Sequence, residues 1–238
     1  MPASAKRSAR NDKATPRTAS KEVRRRQLVD ATITSIARHG IGGTTMTTVT
    51  ELAGLSLGIV NFHFQSKQKL LEETLVFLAR EHHDLWEKAY RDADLGAPAK
   101  LLAIVDAHFH PRICTRKKLS VWYAFFGEAG RRAVYRALVD GMDSRRIEVS
   151  TRLCARILAE GGYDGPPAHE VAGMLEALYD GFWLNMLMYP GSFTREGSRR
   201  QIHLYLGTVF PRHFHPGPAS PAATNAPRKE KIDEVAEP

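Results

Sequence analysis

The chain has 238 residues, 43% hydrophobic and 25% charged, the balance of an ordinary folded protein and not of a disordered or fibrous one. Its richest apolar stretch, Met174 to Tyr189, is broken by Glu176, Asp180 and Asn185, so no membrane span is expected, and no apolar run follows the basic N-terminus, so no secretory signal is expected either. Two cysteines, Cys114 and Cys154, do not make a disulfide scaffold, and the expected compartment is the reducing cytosol, that is, a cytoplasmic protein.

The formal net charge is +8, and residues 1–26 supply +7 of it through nine basic and two acidic groups. Such an arm attracts polyanions, and nucleic acid and an anionic membrane fit it equally well. Residues 1–20, rich in Ala, Ser, Thr, Lys and Arg, are expected to be a disordered basic arm. The six prolines between Pro211 and Pro238 mark residues 211–238 as a disordered tail.

The body between them reads as all-α. A first helix is expected around Leu28, Val29, Ile33, Ile36 and Ala37, ending at His39-Gly40. A short segment from Thr45 to Ala53 stops at Gly54, and Ser56 is placed to cap a third helix reaching Phe62. Ser66 caps a long fourth with the stripe Leu71, Leu75, Leu78, His82, Leu85 and Trp86. Pro98 opens a fifth helix and Pro111 closes it. The sixth carries Leu119, Trp122, Tyr123 and Phe126 on one face and Val121 and Phe125 on the other, so it is expected to be buried all round. Val134, Leu138, Val149 and Leu153 predict a long seventh helix that stops at Gly161-Gly162. The eighth runs from Ala168 to Met188, and Thr194 caps a ninth carrying Ile202, Tyr205, Leu206, Val209 and Phe210. Two apolar stripes, Val171, Leu175, Leu178 and Phe182 on the eighth and Ile202, Leu206 and Phe210 on the ninth, are the expected homodimer seam, with packing inside one chain as the alternative.

Residues 45–64 carry the chemistry. A short helix, a glycine turn and a second short helix make a helix-turn-helix unit. Ala53 lets the helices approach, Gly54 takes a left-handed turn, Leu55 plugs the angle, and Ser56 is expected to satisfy free N–H groups of the second helix. The run Ala53-Gly54-Leu55-Ser56-x-Gly58-x-x-x-x-His63-Phe64-x-x-Lys67-x-x-Leu70 resembles the signature of the TetR family of repressors, over about residues 24–80. Further runs resemble the BetI type within it, the choline-responsive repressors. They are Arg24-Arg25-Arg26-Gln27-Leu28-Val29-Asp30-Ala31-Thr32, Trp122-x-Ala124-Phe125, Tyr135-Arg136-x-Leu138, Ser144-Arg145-Arg146 and Asp180-Gly181-Phe182-Trp183-Leu184.

The resemblance implies a helix-turn-helix DNA-binding domain over 21–66 and a helical ligand-binding and dimerisation domain over 67–210. Thr45 and Lys67 match phosphate-touching helix starts. Ser56, Leu57, Gly58, Asn61 and His63 lie on the recognition helix, with Arg24 and Thr47 also at the DNA. Gly58 admits the DNA backbone, and Asn61 suits an adenine edge or a phosphate equally. Phe62 departs from the tyrosine usual in the family and lacks its hydroxyl, and Thr50 replaces a usual alanine. The implied partners are a double-stranded palindromic operator and a small-molecule effector.

The effector site is expected among the fifth to eighth helices, lined by Phe109, Trp122, Tyr123, Phe126, Tyr179 and Trp183, with Phe182 in the same aromatic set. Such faces attract a quaternary ammonium. Asp106, Glu128, Glu176 and Asp180 are the acidic candidates. A lipophilic or other cationic effector, controlling efflux or catabolic genes, is the alternative. No nucleophile elbow, zinc motif or Walker loop is present, so no catalytic residue, metal site or cofactor is expected. His82-His83, His108-x-His110 and His213-x-His215 read as solvated or capping histidines, and the two cysteines as small buried residues.

Overall fold

The structure is a computed structural model that describes residues 16–214, with side chains from Lys21 onward. Among these residues it contains nine α-helices and no strand: α1 (Pro16–Gly43), α2 (Met46–Ala53), α3 (Leu57–Phe64), α4 (Lys67–Tyr90), α5 (Ala97–His108), α6 (Arg116–Gly127), α7 (Arg132–Gly161), α8 (Ala168–Met188) and α9 (Arg195–Val209). Among the described residues no helix is long and apolar enough to cross a membrane. Most of the expected basic arm and of the C-terminal tail lies outside the described residues. Where they are described, the boundaries move: α1 already begins at Pro16, and Phe214, past Pro211, is buried.

Helices α1 to α3 form one small unit whose core is Leu28, Val49, Val60 and Phe64. The helix path of α1 is broken at Gly40 (φ 68°, ψ 177°), where the sequence predicts its end. A chain of buried hydroxyls ties α1 to the start of α2: Ser35 Oγ donates to Thr44 Oγ1 (3.1 Å) and lies 3.2 Å from Thr48 Oγ1. The other end of α2 is held by the Gln27 amide, which donates to the Ala53 carbonyl at 2.6 Å. Gly54 then turns the chain with φ 62° and ψ 35°, a left-handed geometry disfavoured for any residue with Cβ.

The long helix α4 joins this unit to the rest. Its N-cap Ser66 accepts from Lys69 N at 3.1 Å, and of the predicted stripe Leu71, Leu75, Leu78, His82 and Trp86 are buried while Leu85 is partly buried. Helices α5 and α7 pack along it and α8 packs on α7, with α6 wedged between α1 and α8 and α9 laid across α5 and α8. Two packing expectations change. Phe126 on α6 is 38% exposed, so α6 is not buried all round. The stripes Val171, Leu175, Ile202, Leu206 and Phe210 are buried inside the single chain, because α8 and α9 turn them toward α5, α7 and each other. The apolar residues left outside on these helices are Met174, Leu184, Met188 and Leu204. Cys114 and Cys154 are free, buried thiols whose pKa values burial pushes up to about 12, which keeps them protonated and unreactive.

Replacing Gly54 with alanine is expected to cost about 1–2 kcal/mol through the left-handed turn alone. Thermal unfolding followed by circular dichroism checks this, with a lowered Tm as the expected outcome.

Candidate DNA-reading head and effector cavity

Helix α2 starts with a reciprocal cap. Thr48 N donates to Thr45 Oγ1 (3.0 Å) and Thr45 N donates to Thr48 Oγ1 (2.9 Å), which leaves the exposed Thr47 and the first-turn N–H groups facing outward. Lys67 Nζ reaches back to the Gly42 carbonyl at 3.4 Å, so the first residue of α4 is tied to the end of α1, just before the cap of α2. The ammonium and the α2 N-terminus each supply the positive electrostatics that a phosphate needs.

Beside them α3 presents Ser56, Leu57, Gly58, Asn61 and Phe62 to solvent, while Val60 and Phe64 face the core. Ser56 differs from expectation. It stands at the N-cap position, yet its hydroxyl makes no capping bond and is exposed, so it is available to an outside partner. The α3–α4 turn is made by Gln65, whose φ of 60° is the only positive non-glycine value among the described residues. Lys21 and Arg24 on α1 border a groove against Ser56, Gly58, Ile59, Phe62 and His63. Lys21 Nζ lies 5.9 Å from the centre of the Phe62 ring, which is 73% exposed. His63 is half-buried in that groove, and burial together with Lys21 and Arg25 lowers its pKa below the usual histidine value. It is therefore a neutral hydrogen-bonding group at pH 7. Of the three consecutive arginines only Arg24 is turned to this side. Arg25 pairs with Glu73 and lies 5.0 Å over the Phe64 ring, and Arg26 pairs with Asp30 (2.9 Å) and covers Phe77 at 4.1 Å.

At the other end of the molecule, α4 to α8 enclose a cavity of about 300 Å³. Trp122, Phe126, Tyr179 and Trp183 line it, as the sequence predicts. The Trp122 and Trp183 rings stand 6.3 Å apart, and Trp183 Nε1 donates to the His108 carbonyl at 3.0 Å, which fixes its indole. Phe109 and Tyr123 lie outside the cavity. Phe109 follows the last turn of α5 and packs its ring against Phe182 and Tyr179, while the Tyr123 hydroxyl donates to the Asp180 carbonyl (2.8 Å) and ties α6 to α8.

Five cavity residues escape the sequence reading: His82, His108, Asp143, Arg146 and Ile147. His82 and His108 are buried, not solvated, with ring centres 4.3 Å apart, and burial holds both pKa values well below the usual imidazole range. Both are neutral at pH 7. Arg146 is the buried cation. It grips Glu176 through Nε (3.1 Å) and Nη2 (2.5 Å), and Asp143 through Nη1 (2.7 Å). The Asp143-x-x-Arg146 spacing, one helical turn, is the signal that could have found it. Glu176 and Asp180 are the acidic candidates that reach the cavity; Asp106 instead pairs with Arg199 on α9 (3.4 Å). Burial, and then Glu176, raise the pKa of Asp180 above the ordinary carboxylate value. Three carboxylates face one guanidinium, so the cavity carries a net charge of −2 when all are ionised.

The family model for bacterial regulatory proteins of the tetR family matches residues 28–74, and that for the BetI-type transcriptional repressor C-terminal domain matches residues 97–211. A regulator named HTH-type transcriptional regulator BetI from Burkholderia thailandensis is 34% identical over 196 residues, covering 80% of this chain and 95% of that protein. The chain belongs to the TetR family of transcriptional regulators, with a BetI-type C-terminal domain. A second BetI regulator, from Paraburkholderia xenovorans, is 32% identical over 82% of this chain and 97% of its own length. Among solved structures, a transcriptional regulator from Pseudomonas aeruginosa PAO1 is similar with a TM-score of 0.69 and 26% identity, covering 82% of this chain and 95% of that one. A regulator from Saccharomonospora viridis, solved in complex with choline, shares the fold with a TM-score of 0.67 and 21% identity, over 78% of this chain and 96% of that one. This TetR-family chain is thus a DNA-binding transcriptional repressor and not an enzyme.

Phe62 gives a direct test of the reading head. Phe62→Tyr restores a phenolic donor at an exposed edge, and one added phosphate hydrogen bond is expected to tighten operator binding by roughly two- to tenfold. Electrophoretic mobility shift against promoter fragments checks it.

Proposed function

We propose that this chain represses transcription as a two-fold dimer on a palindromic operator, and that a quaternary ammonium effector, choline or a related amine, releases it. The observation that carries the effector assignment is the cavity: four aromatic side chains around three carboxylates and one guanidinium. Indole and phenol faces attract an onium ion, worth about 0.5–2 kcal/mol per ring. The negative field attracts any cation, and Asp180 supplies a carboxylate that Arg146 does not hold, since Arg146 is committed to Glu176 and Asp143. The choline bound in the Saccharomonospora viridis regulator of the same fold supports the same reading.

The dimer uses the outward faces of α8 and α9, where Met174, Leu184, Met188 and Leu204 leave apolar area on the single chain. Paired copies set two α3 helices roughly 34 Å apart, one turn of duplex. Release follows from where the effector sits. Trp122 and Phe126 belong to α6, which packs along α1, and His82 lies midway along α4, which begins at the reading head. A ligand that draws α4 and α6 toward α8 changes the angle of both heads. It does so only if it binds the released arrangement better than the DNA-bound one.

Isothermal titration with choline tests the effector. Binding is expected, with Trp183→Ala weakening it between about twofold and thirtyfold. Failure of choline and of other quaternary amines to bind overturns the assignment. Affinity is also expected to fall on acidification, and to begin falling at a pH above the ordinary carboxylate range. The raised pKa of Asp180 means its charge is lost early, and any protonation of His82 or His108 adds positive charge. Titrations between neutral pH and about pH 5 check the sign. Asn61→Ala is expected to cost about 1–3 kcal/mol of operator binding while choline binding persists; parallel loss of both counts against the two-site arrangement.

A further inference from the structure

Helix α6 packs along α1 and meets α4 only briefly, and that meeting point is charged. Glu81 on α4 and Lys118 on α6 form an ion pair whose side chains are 8% and 16% exposed. Arg112, just ahead of α6, closes it. Its carbonyl accepts from Lys118 Nζ at 2.5 Å, and its Nη2 lies 3.7 Å from Glu81 Oε1. Both partners adjoin the effector cavity without lining it. Glu81 directly precedes the lining residue His82. Lys118, Trp122 and Phe126 follow one another at intervals of four, so the pair and two cavity aromatics share one stripe of α6. The residue before Lys118, Lys117, brings its Nζ to 3.4 Å from Thr34 Oγ1 on α1. Apolar side chains slide past one another at small cost. Two ions drawn out of water do not, because separation leaves each of them desolvated and unmatched. A shift of α6 therefore carries α4 with it or breaks the pair.

We infer that the Glu81–Lys118 ion pair is the joint that couples effector binding to operator release: it makes α6 and α4 move as one, so that contacts made on Trp122 and Phe126 are felt by the helix that begins at the reading head. The inference rests on the effector-release reading proposed above and names the residues through which release passes. Neither residue lines the effector cavity or the α3 groove, so both are positioning residues for a coupling and not binding residues for either ligand. Coupling between two sites is a free energy of its own, separate from the affinity of each site alone. Removing the pair therefore leaves two working sites that no longer sense each other. Arg112 does not substitute for Lys118, because its guanidinium is the more distant partner of Glu81 and its side chain is 65% exposed.

The experiment measures operator affinity of the full chain by fluorescence anisotropy, on a promoter fragment that the native chain binds, without and with saturating choline. The ratio of the two affinities is the readout. In the native chain choline is expected to weaken operator binding by at least about fivefold. In the double variant Glu81→Met/Lys118→Met, apolar side chains of similar length replace the pair, a change that buried ion pairs commonly tolerate. There choline binding, followed by isothermal titration, is expected to persist while the ratio falls toward one. Glu81→Gln keeps the length and shape of the side chain and removes its charge, so it carries the test if the double variant does not fold, with a ratio lower than native expected. A pair that serves stability alone lowers Tm and leaves the ratio as in the native chain; that outcome overturns the inference while the effector reading stands. If choline does not bind the native chain, or binds it without weakening operator binding, the effector reading falls and the inference with it.

Discussion

The guanidinium of Arg146 governs the effector half of this molecule. A guanidinium does not give up its proton at any physiological pH, so burying one obliges the fold to bury anions with it. Helix α7 supplies Asp143 one turn away and α8 supplies Glu176 in a forked grip, and that grip is a link between the two helices. The same bonds commit Glu176 and Asp143 to the guanidinium inside a partly closed space. Asp180, one turn further along α8, is then left as the carboxylate available to an incoming cation. A neutral pair of histidines completes the lining, so the charge of the cavity comes from the three carboxylates and Arg146.

The cavity is also the meeting point of the helices that reach the DNA. Helix α4 runs from the reading head to the cavity, and Glu81, next to His82, pairs with Lys118 on α6 and lies 3.7 Å from Arg112. Lys118 in turn donates to the Arg112 carbonyl at 2.5 Å, and Lys117 Nζ lies 3.4 Å from Thr34 Oγ1 on α1. The α4, α6 and α1 helices are therefore stitched by polar bonds just beside the lining aromatics. Movement of α6 reaches the small N-terminal unit without crossing a flexible connection. That unit is stiffened by its own chain of hydroxyls and by Gln27.

The helix order, the glycine turn and the α4 stripe were legible because each rests on local spacing. Apolar residues every third or fourth position, glycine at a left-handed corner and threonine at a cap act within one or two turns of chain. What stayed hidden depended on partners far away in sequence. His82 and His108 are 26 positions apart and meet only when α4 packs on α5. Phe109 looked like a cavity aromatic by type, but the final turn of α5 aims it at Phe182. The α8 and α9 stripes could be assigned to core or to dimer seam only once α5 and α7 were seen to cover them. Ser56 shows the opposite case: its type fits a cap, yet the fold leaves its hydroxyl free at the solvent-facing start of α3.

The distribution of Arg24, Arg25 and Arg26 has a consequence for thermodynamics of DNA association. A basic group adds to the salt sensitivity of DNA binding only when it displaces condensed cations from phosphate, and each such displacement adds about −0.9 to the slope of log K against log salt. Arg25 and Arg26 already have carboxylates, Glu73 and Asp30, and rings beneath them. Counting basic residues in the run Arg24-Arg25-Arg26 therefore overstates the number of cations free to neutralise phosphate, since of these three Arg24 borders the α3 groove.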